Sequence, residues 1–311
     1  MNNNQAFNSG FEATLGIDIG GTHIRYVVSN NSEVYSVEKS KSPNTYNAMF
    51  DELLRIISEA QKVADIRNVG IGVPGRTDPD KPIWIPMLPF LNHSNLGGEL
   101  EKAAEVEVTF INDAQAALVG EVEAGAARGY RNAILVTLGT GIGGGIMING
   151  RIYVGHNGTA GSFGWLMAPI KLFPKPEHGP WERWSSGTTL AGIAKDLGVQ
   201  VQEILDPTIL ESNSVLHDSV NDFSIRIGKG LGSLASLFDP QVLIISGGLT
   251  DSWTVLHEGI RAGYLQSASP SVRNTPVRVA ELGSKAGAIG ASNTARDYFS
   301  EIRKKGNVRK E

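Results

Sequence analysis

Short runs of aliphatic and β-branched residues alternate along the chain with stretches whose apolar positions recur every three or four residues. Thr14–Asp18 is an apolar run that closes on Gly20-Gly21; Ile24–Val28 is a second and Val34–Val37 a third, with Asn30-Asn31-Ser32 predicting the turn between them. Met49, Leu53, Leu54, Ile57 and Ala60 then share one face of a predicted helix. Val69–Val73 predicts a buried strand stopping at Pro74-Gly75. Val106–Ile111 predicts another, ending at Asn112-Asp113. Ala114–Ala124 follows as a helix with Ala117, Leu118 and Val122 on one side.

The opening pattern returns in the second half. Ala133–Leu138 predicts a strand, Gly139-Thr140-Gly141 follows it, and Gly145–Ile148 is the next strand. Asn149-Gly150 predicts a two-residue hairpin turn, because both positions tolerate positive φ; Arg151–Val154 is the returning strand. Each half thus opens with a strand, glycine loop, strand, turn, strand unit, which points to an internal duplication. Pro169–Pro180 reads as a surface loop. Thr188–Leu197 reads as a helix, and Ser219–Phe238 as a long one with Val220, Phe223, Ile227, Leu231, Leu234 and Leu237 apolar, ended by Asp239-Pro240. Val242–Ile245 is a strand that runs into Gly247-Gly248, and Ala286–Tyr298 is a closing helix. Strands and helices alternate throughout, so the class is α/β.

Composition narrows this picture. The 311 residues suggest two domains. Thirty-seven are glycine, well above the average of about 7%, with no three-residue period to suggest collagen. The absence of cysteine excludes disulfides and thiolate metal sites. A net charge of −4 gives no general reason to bind nucleic acid or anionic lipid. The basic residues Arg303, Lys304, Lys305, Arg309 and Lys310 read as a solvated end. No apolar run approaches the ~18 residues of a membrane helix, and the polar Met1–Gly10 stretch does not read as a signal peptide. A cytoplasmic location without membrane or nucleic-acid partners is therefore expected.

Three segments carry candidate chemistry. In Asp18-Ile19-Gly20-Gly21-Thr22 an acid ends a strand, and two glycines expose backbone amides that can face phosphate oxygens. Thr22 adds a hydroxyl, and Asp18 is placed to hold Mg²⁺ directly or through water. The second loop, Gly139 to Gly145, has five glycines in seven residues. A strand follows it, which excludes the dinucleotide fingerprint, and it lacks the Gly-Lys-Ser/Thr of the P-loop. Two such loops suggest a nucleoside triphosphate held from two sides. Asn112-Asp113 is the third segment: Asp113 before a helix reads as an N-cap or as a general base for phosphoryl transfer to an alcohol.

With these motifs in order, the sequence resembles the sugar kinases of the ROK family (repressor, open reading frame, kinase). The resemblance runs through LGIDIGGTHIR, GIGVPGR, INDAQAALVGE, TLGTGIGGGIMINGRIYVG, GTAGSFGW, WERWSSGTTL, FDPQVLIISGGL and LGSKAGAIGA. It implies an actin/hexokinase-like (ribonuclease H-like) fold: two α/β domains of duplicated βββαβα topology around an interdomain cleft. The small domain is expected at residues 1–115 plus the C-terminal helix, about 286–311, and the large one at 116–285. The resemblance assigns Asp18, Gly20, Gly21 and Thr22 to one phosphate loop and Gly139, Thr140 and Gly141 to the other. Gly247 and Gly248 would border the adenosine. Asp113 matches the catalytic base, while Gly75, Asn112, Ser162 and Glu182 fall at sugar-side positions. ATP and Mg²⁺ are the implied cosubstrate and ion, and a homodimer the implied assembly. With the first motif at Leu15, no N-terminal helix-turn-helix domain of the repressor members is expected.

The sequence also departs from the family. The usual Gly-Glu-x-Gly-His is Gly161-Ser162-Phe163-Gly164-Trp165 here, and Pro180 stands where a zinc-ligand cysteine is usual. Loss of all the zinc ligands together predicts no structural zinc, with His178 a surface residue. An aromatic cluster of Phe163, Trp165, Trp181 and Trp184 is expected to order the loop instead. Met87 stands where many relatives have Asn. These changes predict an atypical hexose, an amino sugar or one altered at C1–C3, phosphorylated at C6. A glucose or mannose kinase of ordinary specificity, possible polyphosphate use, and a catalytically idle sugar sensor are the alternatives.

Overall fold

The computed structural model describes residues 12–30, 33–77, 83–169 and 178–308. The described residues fall into two compact units, one drawn from Met1–Gly125, Val154–Thr159 and Ser284–Glu311, the other from Ala126–Tyr153 and Ala160–Gly283. Asn31 and Ser32 of the first predicted turn, Met1–Gly10, residues 170–177 of the proline-rich loop and the side chains of the basic tail lie outside the description.

The first unit is built on β1 (Glu12–Ile19), β2 (His23–Asn30), β3 (Glu33–Lys41), β4 (Asp65–Val73) and β5 (Glu107–Asn112), in the order β3-β2-β1-β4-β5. β1, β2 and β3 pair antiparallel, while β4 and β5 join in parallel. α1 (Tyr46–Gln61) buries Met49, Leu53, Ile56, Ile57 and Ala60; its predicted face shifts by one position, with Ile56 fully buried. α2 (Leu96–Ala104) has no counterpart in the sequence reading, because its only large apolar residues are Leu96 and Leu100 around two glycines. α3 (Asp113–Ala124) buries Ala114, Gln115, Ala116, Leu118, Gly120 and Glu121 rather than the Ala117/Val122 side. The last helix, α10 (Ala286–Val308), packs on this same sheet and on α3. Its backbone comes so close that a Cβ at Gly16, Gly70, Gly120 or Gly290 would overlap main-chain atoms across the contact.

The second unit repeats the plan. β6 (Ala133–Leu138), β7 (Ile142–Ile148), β8 (Arg151–Ile152), β9 (Val242–Ser246) and β10 (Val277–Val279) lie in the order β10-β9-β6-β7-β8. Read from the other edge, this is the order of the first sheet, with the same antiparallel hairpins and parallel additions. The duplicated topology is therefore real. Asn149 and Gly150 take φ of 53° and 78°, as a two-residue hairpin turn requires. The helices of this unit are α4 (Pro180–Ser185), α5 (Gly187–Asp196), α6 (Val201–Ile204), α7 (Pro207–Ser212), α8 (Ser214–Phe238) and α9 (Trp253–Ser267). α8 buries Val220, Phe223, Ile227, Leu231 and Leu234 as predicted, but Leu237 is 68% exposed near the helix end. The chain leaves α8 through Asp239 in the left-handed region, φ 45°.

Candidate active site

In the first unit Asp18 lies near the end of β1, and Asp113 opens α3 directly after β5, with β4 between the two strands. Asp18 pairs in register with Arg25 on β2 and Gly72 on β4. Its carboxyl group lies over the start of α10, in space that a Cβ at Gly287 would fill. Its pKa is raised to about 7, by burial first and the charge of Asp113 next, with Arg25 opposing both. Burial also raises Asp113, to about 6, against the lowering effect of hydrogen bonds from the Ala114 amide, its own amide and Asn112. Arg25 and Gly287 escaped the sequence reading. The hairpin register of DIGGTHIR places Arg25 opposite Asp18, whereas nothing local in the sequence marks Gly287.

The structure assigns the helix cap to the neighbouring residue. Asn112, not Asp113, is the N-cap of α3: its Oδ1 accepts the amides of Ala114 (3.0 Å) and Gln115 (3.2 Å). Asp113 is the first residue of the helix, with Oδ1 accepting the Ala114 amide at 2.8 Å. The Asn112 Nδ2 donates to the Gly75 carbonyl (3.1 Å), tying the end of β5 to the turn after β4. Gly75 is required there, since a Cβ would overlap the Trp84 carbonyl. On the same segment Met87 is 72% exposed.

Backbone hydrogen bonds close both short glycine turns. The Gly20 amide donates to the His23 carbonyl (3.0 Å) and the Ser42 amide to the Thr22 carbonyl (3.0 Å). In the second unit Gly139 donates to Gly141 O (3.0 Å), Gly187 to Gly139 O (2.8 Å), and the Thr188 hydroxyl to Thr140 O (2.8 Å). All three carbonyls of residues 139–141 thus point to protein donors, as phosphate binding demands, because an outward carbonyl would repel an anion. Among the described residues no acceptor meets the amides of Gly21, Thr22, Thr140 or Gly141. Cβ positions at Gly21, Gly139 and Gly248 meet nothing within 4 Å.

The longer loop expected through Gly145 is not a loop. Gly143, Gly144 and Gly145 belong to β7 and pair with Thr137, Val136 and Leu135. Gly144 serves packing: a Cβ there would overlap the Phe163 ring and the Leu135 carbonyl. Gly247 (φ 95°) is also structural, because it lies against the Leu138 backbone at the end of β6.

In the second unit, Phe163 and Trp181 enter the core and Trp184 packs at its edge. The Trp181 indole donates to the Arg226 carbonyl of α8 (3.2 Å). Trp165 does not join them; it is 50% exposed. Ser162 is exposed as well. His178 is more than a surface residue: its Nδ1 donates to Glu182 Oε1 at 2.6 Å. His178 lies ahead of α4, outside the helix, so no helical spacing announced the contact. The other carboxylate oxygen of Glu182 accepts the Ile142 amide at 2.8 Å. Glu182 therefore lies on the 139–141 turn. Ser162, Trp165 and Pro180 offer no thiolate or imidazole, so these positions do not fit a zinc ion. Among the described residues no three His, Cys, Asp or Glu side chains group as a metal site, and no helix is long and apolar enough to cross a membrane.

Two α/β units of one strand order, each with a glycine turn after its first strand, define an actin/hexokinase-like protein. A model of the ROK family matches residues 14–298, and the chain belongs to that family. It is similar to the glucokinase of Streptomyces coelicolor, 33% identical over 310 residues that cover 91% of this chain and 98% of that one. It is 26% identical over 298 residues to the N-acetyl-D-glucosamine kinase of Haemophilus influenzae, covering 89% of this chain and 97% of that one. The ROK family glucokinase from Streptomyces griseus, solved in complex with glucose and AMPPNP, superposes with a TM-score of 0.73 at 30% identity, over 92% of this chain and 99% of that one.

Proposed function

We propose that the protein is an ATP-dependent carbohydrate kinase that phosphorylates a hexose hydroxyl, by family analogy at C6. One observation carries the reading. Asn112 takes over the helix cap, which leaves the Asp113 carboxylate available as a base beside Asp18, with its pKa raised to about 6 by burial. A base with that pKa is ionised at neutral pH yet basic enough to accept a proton as the hydroxyl attacks. The step balances simply. Asp113 takes the hydroxyl proton, the oxygen bonds to the γ-phosphorus, the bond from that phosphorus to the β–γ bridging oxygen breaks, and ADP leaves.

The other residues divide the work. The outward amides of Gly21 and Thr22, and of Thr140 and Gly141, bind phosphate oxygens; Gly247 and Gly248 border the nucleoside. Asp18, a buried hard oxygen donor, fits a small divalent cation. Asp18 would hold Mg²⁺ directly or through water, and the ion supplies charge neutralisation on the phosphates. The exposed Met87, Ser162 and Trp165 favour a hexose altered at C1–C3 or an amino sugar, since they remove polar partners that relatives offer. An ADP-release assay over a panel of glucose, mannose, amino sugars and inositols tests this. Phosphorylation of an amino or otherwise altered hexose in preference to glucose is expected, and glucose as the best acceptor would refute the specificity. Asp113→Asn should fold normally and lose about 10²-fold or more in kcat; retention of a tenth of the rate would remove Asp113 from the role.

A further inference from the structure

A carboxylate is an awkward neighbour for a phosphate site, yet one stands directly against the 139–141 turn. Glu182, the third residue of α4, has a side chain only 17% exposed. Its Oε2 accepts the Ile142 amide where the chain leaves the turn (2.8 Å). It also occupies the space that a side chain at Gly141 would need, so the glycine makes room for this contact. The backbone of Glu182 is tied to the same neighbourhood. Its carbonyl accepts from the Ser186 amide (3.0 Å) and the Thr189 hydroxyl (3.3 Å), just beside the Gly187 and Thr188 that hold the carbonyls of Gly139 and Thr140. The remaining oxygen, Oε1, takes the imidazole N–H of His178 (2.6 Å).

We propose that Glu182 is a positioning residue for the phosphate turn, and that His178 is the hydrogen-bonded counter-group that lets its carboxylate stand beside bound phosphate. The inference rests on the kinase reading but departs from the sugar-contact role that family resemblance gives Glu182. Glu182 pins the end of the turn so that the Thr140 and Gly141 amides stay outward. A bare carboxylate there would repel the incoming polyanion; the His178 N–H draws its charge density away from the turn.

The test is calorimetric binding of AMPPNP without sugar, together with separate KM values for ATP and for the preferred sugar. Glu182→Ala should weaken AMPPNP about tenfold or more and raise the KM for ATP, with the sugar KM within about twofold. Glu182→Gln keeps an acceptor for the Ile142 amide and should recover most of that affinity. His178→Ala should weaken AMPPNP while Glu182 is present but cost little in the Glu182→Gln background, since a neutral amide needs no counter-group. A wild-type protein that binds AMPPNP no better than Glu182→Ala does, or a loss confined to the sugar KM, would overturn the proposal and leave the kinase reading standing. Glu182→Gln behaving like Glu182→Ala would also overturn it, whatever the effect of Ala on folding. A wild-type chain that binds no AMPPNP at all would overturn both readings.

Discussion

Asp18 and Asp113 show how a residue trades stability for chemistry. Each carboxyl is recessed into its unit, and each holds its proton more tightly in the folded chain than an exposed carboxyl does. The sign follows from linkage: a group with a raised folded pKa favours the folded state below its unfolded pKa near 3.8, and that contribution is lost as pH rises through about 6 to 7. The protein without divalent ions should therefore lose stability between pH 4 and pH 8 because of this pair, visible as a falling Tm. Mg²⁺ should restore stability at pH 8 and do little at pH 5, while chelation reverses the gain. Asp18→Asn should raise the Tm at pH 8 and abolish turnover; an unchanged Tm would show that Asp18 carries no such strain. For catalysis the dependence runs the other way. The base works only when ionised, so kcat/KM should fall about tenfold per pH unit below about 6. Both acids were legible as candidates from their places near strand ends. Their coupling was not, because residues 18 and 113 meet only through the β1-β4-β5 register.

The elements explain most clearly what the glycines do. The candidate phosphate turns account for only part of the surplus, and close packing takes much of the rest. Gly16 and Gly70 let α10 lie directly on the first sheet, and Gly120 and Gly290 let α3 and α10 approach each other. In the second unit Gly228, Gly232, Gly259 and Gly263 do the same for α8 and α9. Periodicity cannot report such contacts, because a glycine that packs looks like a glycine that turns. The face of α3 was read only in part for this reason: beside the expected Leu118 its buried stripe holds the small Ala116 and Gly120. A paired substitution within β7 separates the two uses. Gly144→Ala should destabilise by about 1–3 kcal/mol through overpacking against Phe163. Gly143→Ala, with nothing within 4 Å of its Cβ, should be neutral or stabilise by up to about 1 kcal/mol. Chemical denaturation of both variants reads the contrast directly.

At the scale of the whole molecule, the last helix belongs with the first strands. Ser292 Oγ bonds Ser29 Oγ (2.7 Å) and the Thr14 carbonyl (3.2 Å), and Gly70 packs on Ala291, all far apart in the chain. The first unit is thus incomplete until the C-terminus is made, whereas the buried core around Trp181, Phe223 and Tyr264 includes no residue after Val277. A chain ending at Gly283 should expose β1, β4 and α3 to proteolysis well before residues 178–283. Equal protection of the two regions would show that α10 is dispensable. What the sequence by itself determined is local: the β-strand and helix runs, the Asn149-Gly150 turn, the repeated strand–glycine–strand unit and the acids at strand ends, because each is written in neighbouring residues. Which glycines turn and which pack, which of Asn112 and Asp113 caps α3, and where the Glu182 carboxylate goes were decided only by tertiary structure. Those outcomes depend on atoms brought together from distant segments, where close approach and hydrogen-bond partners, rather than residue type or spacing, set the role of each side chain.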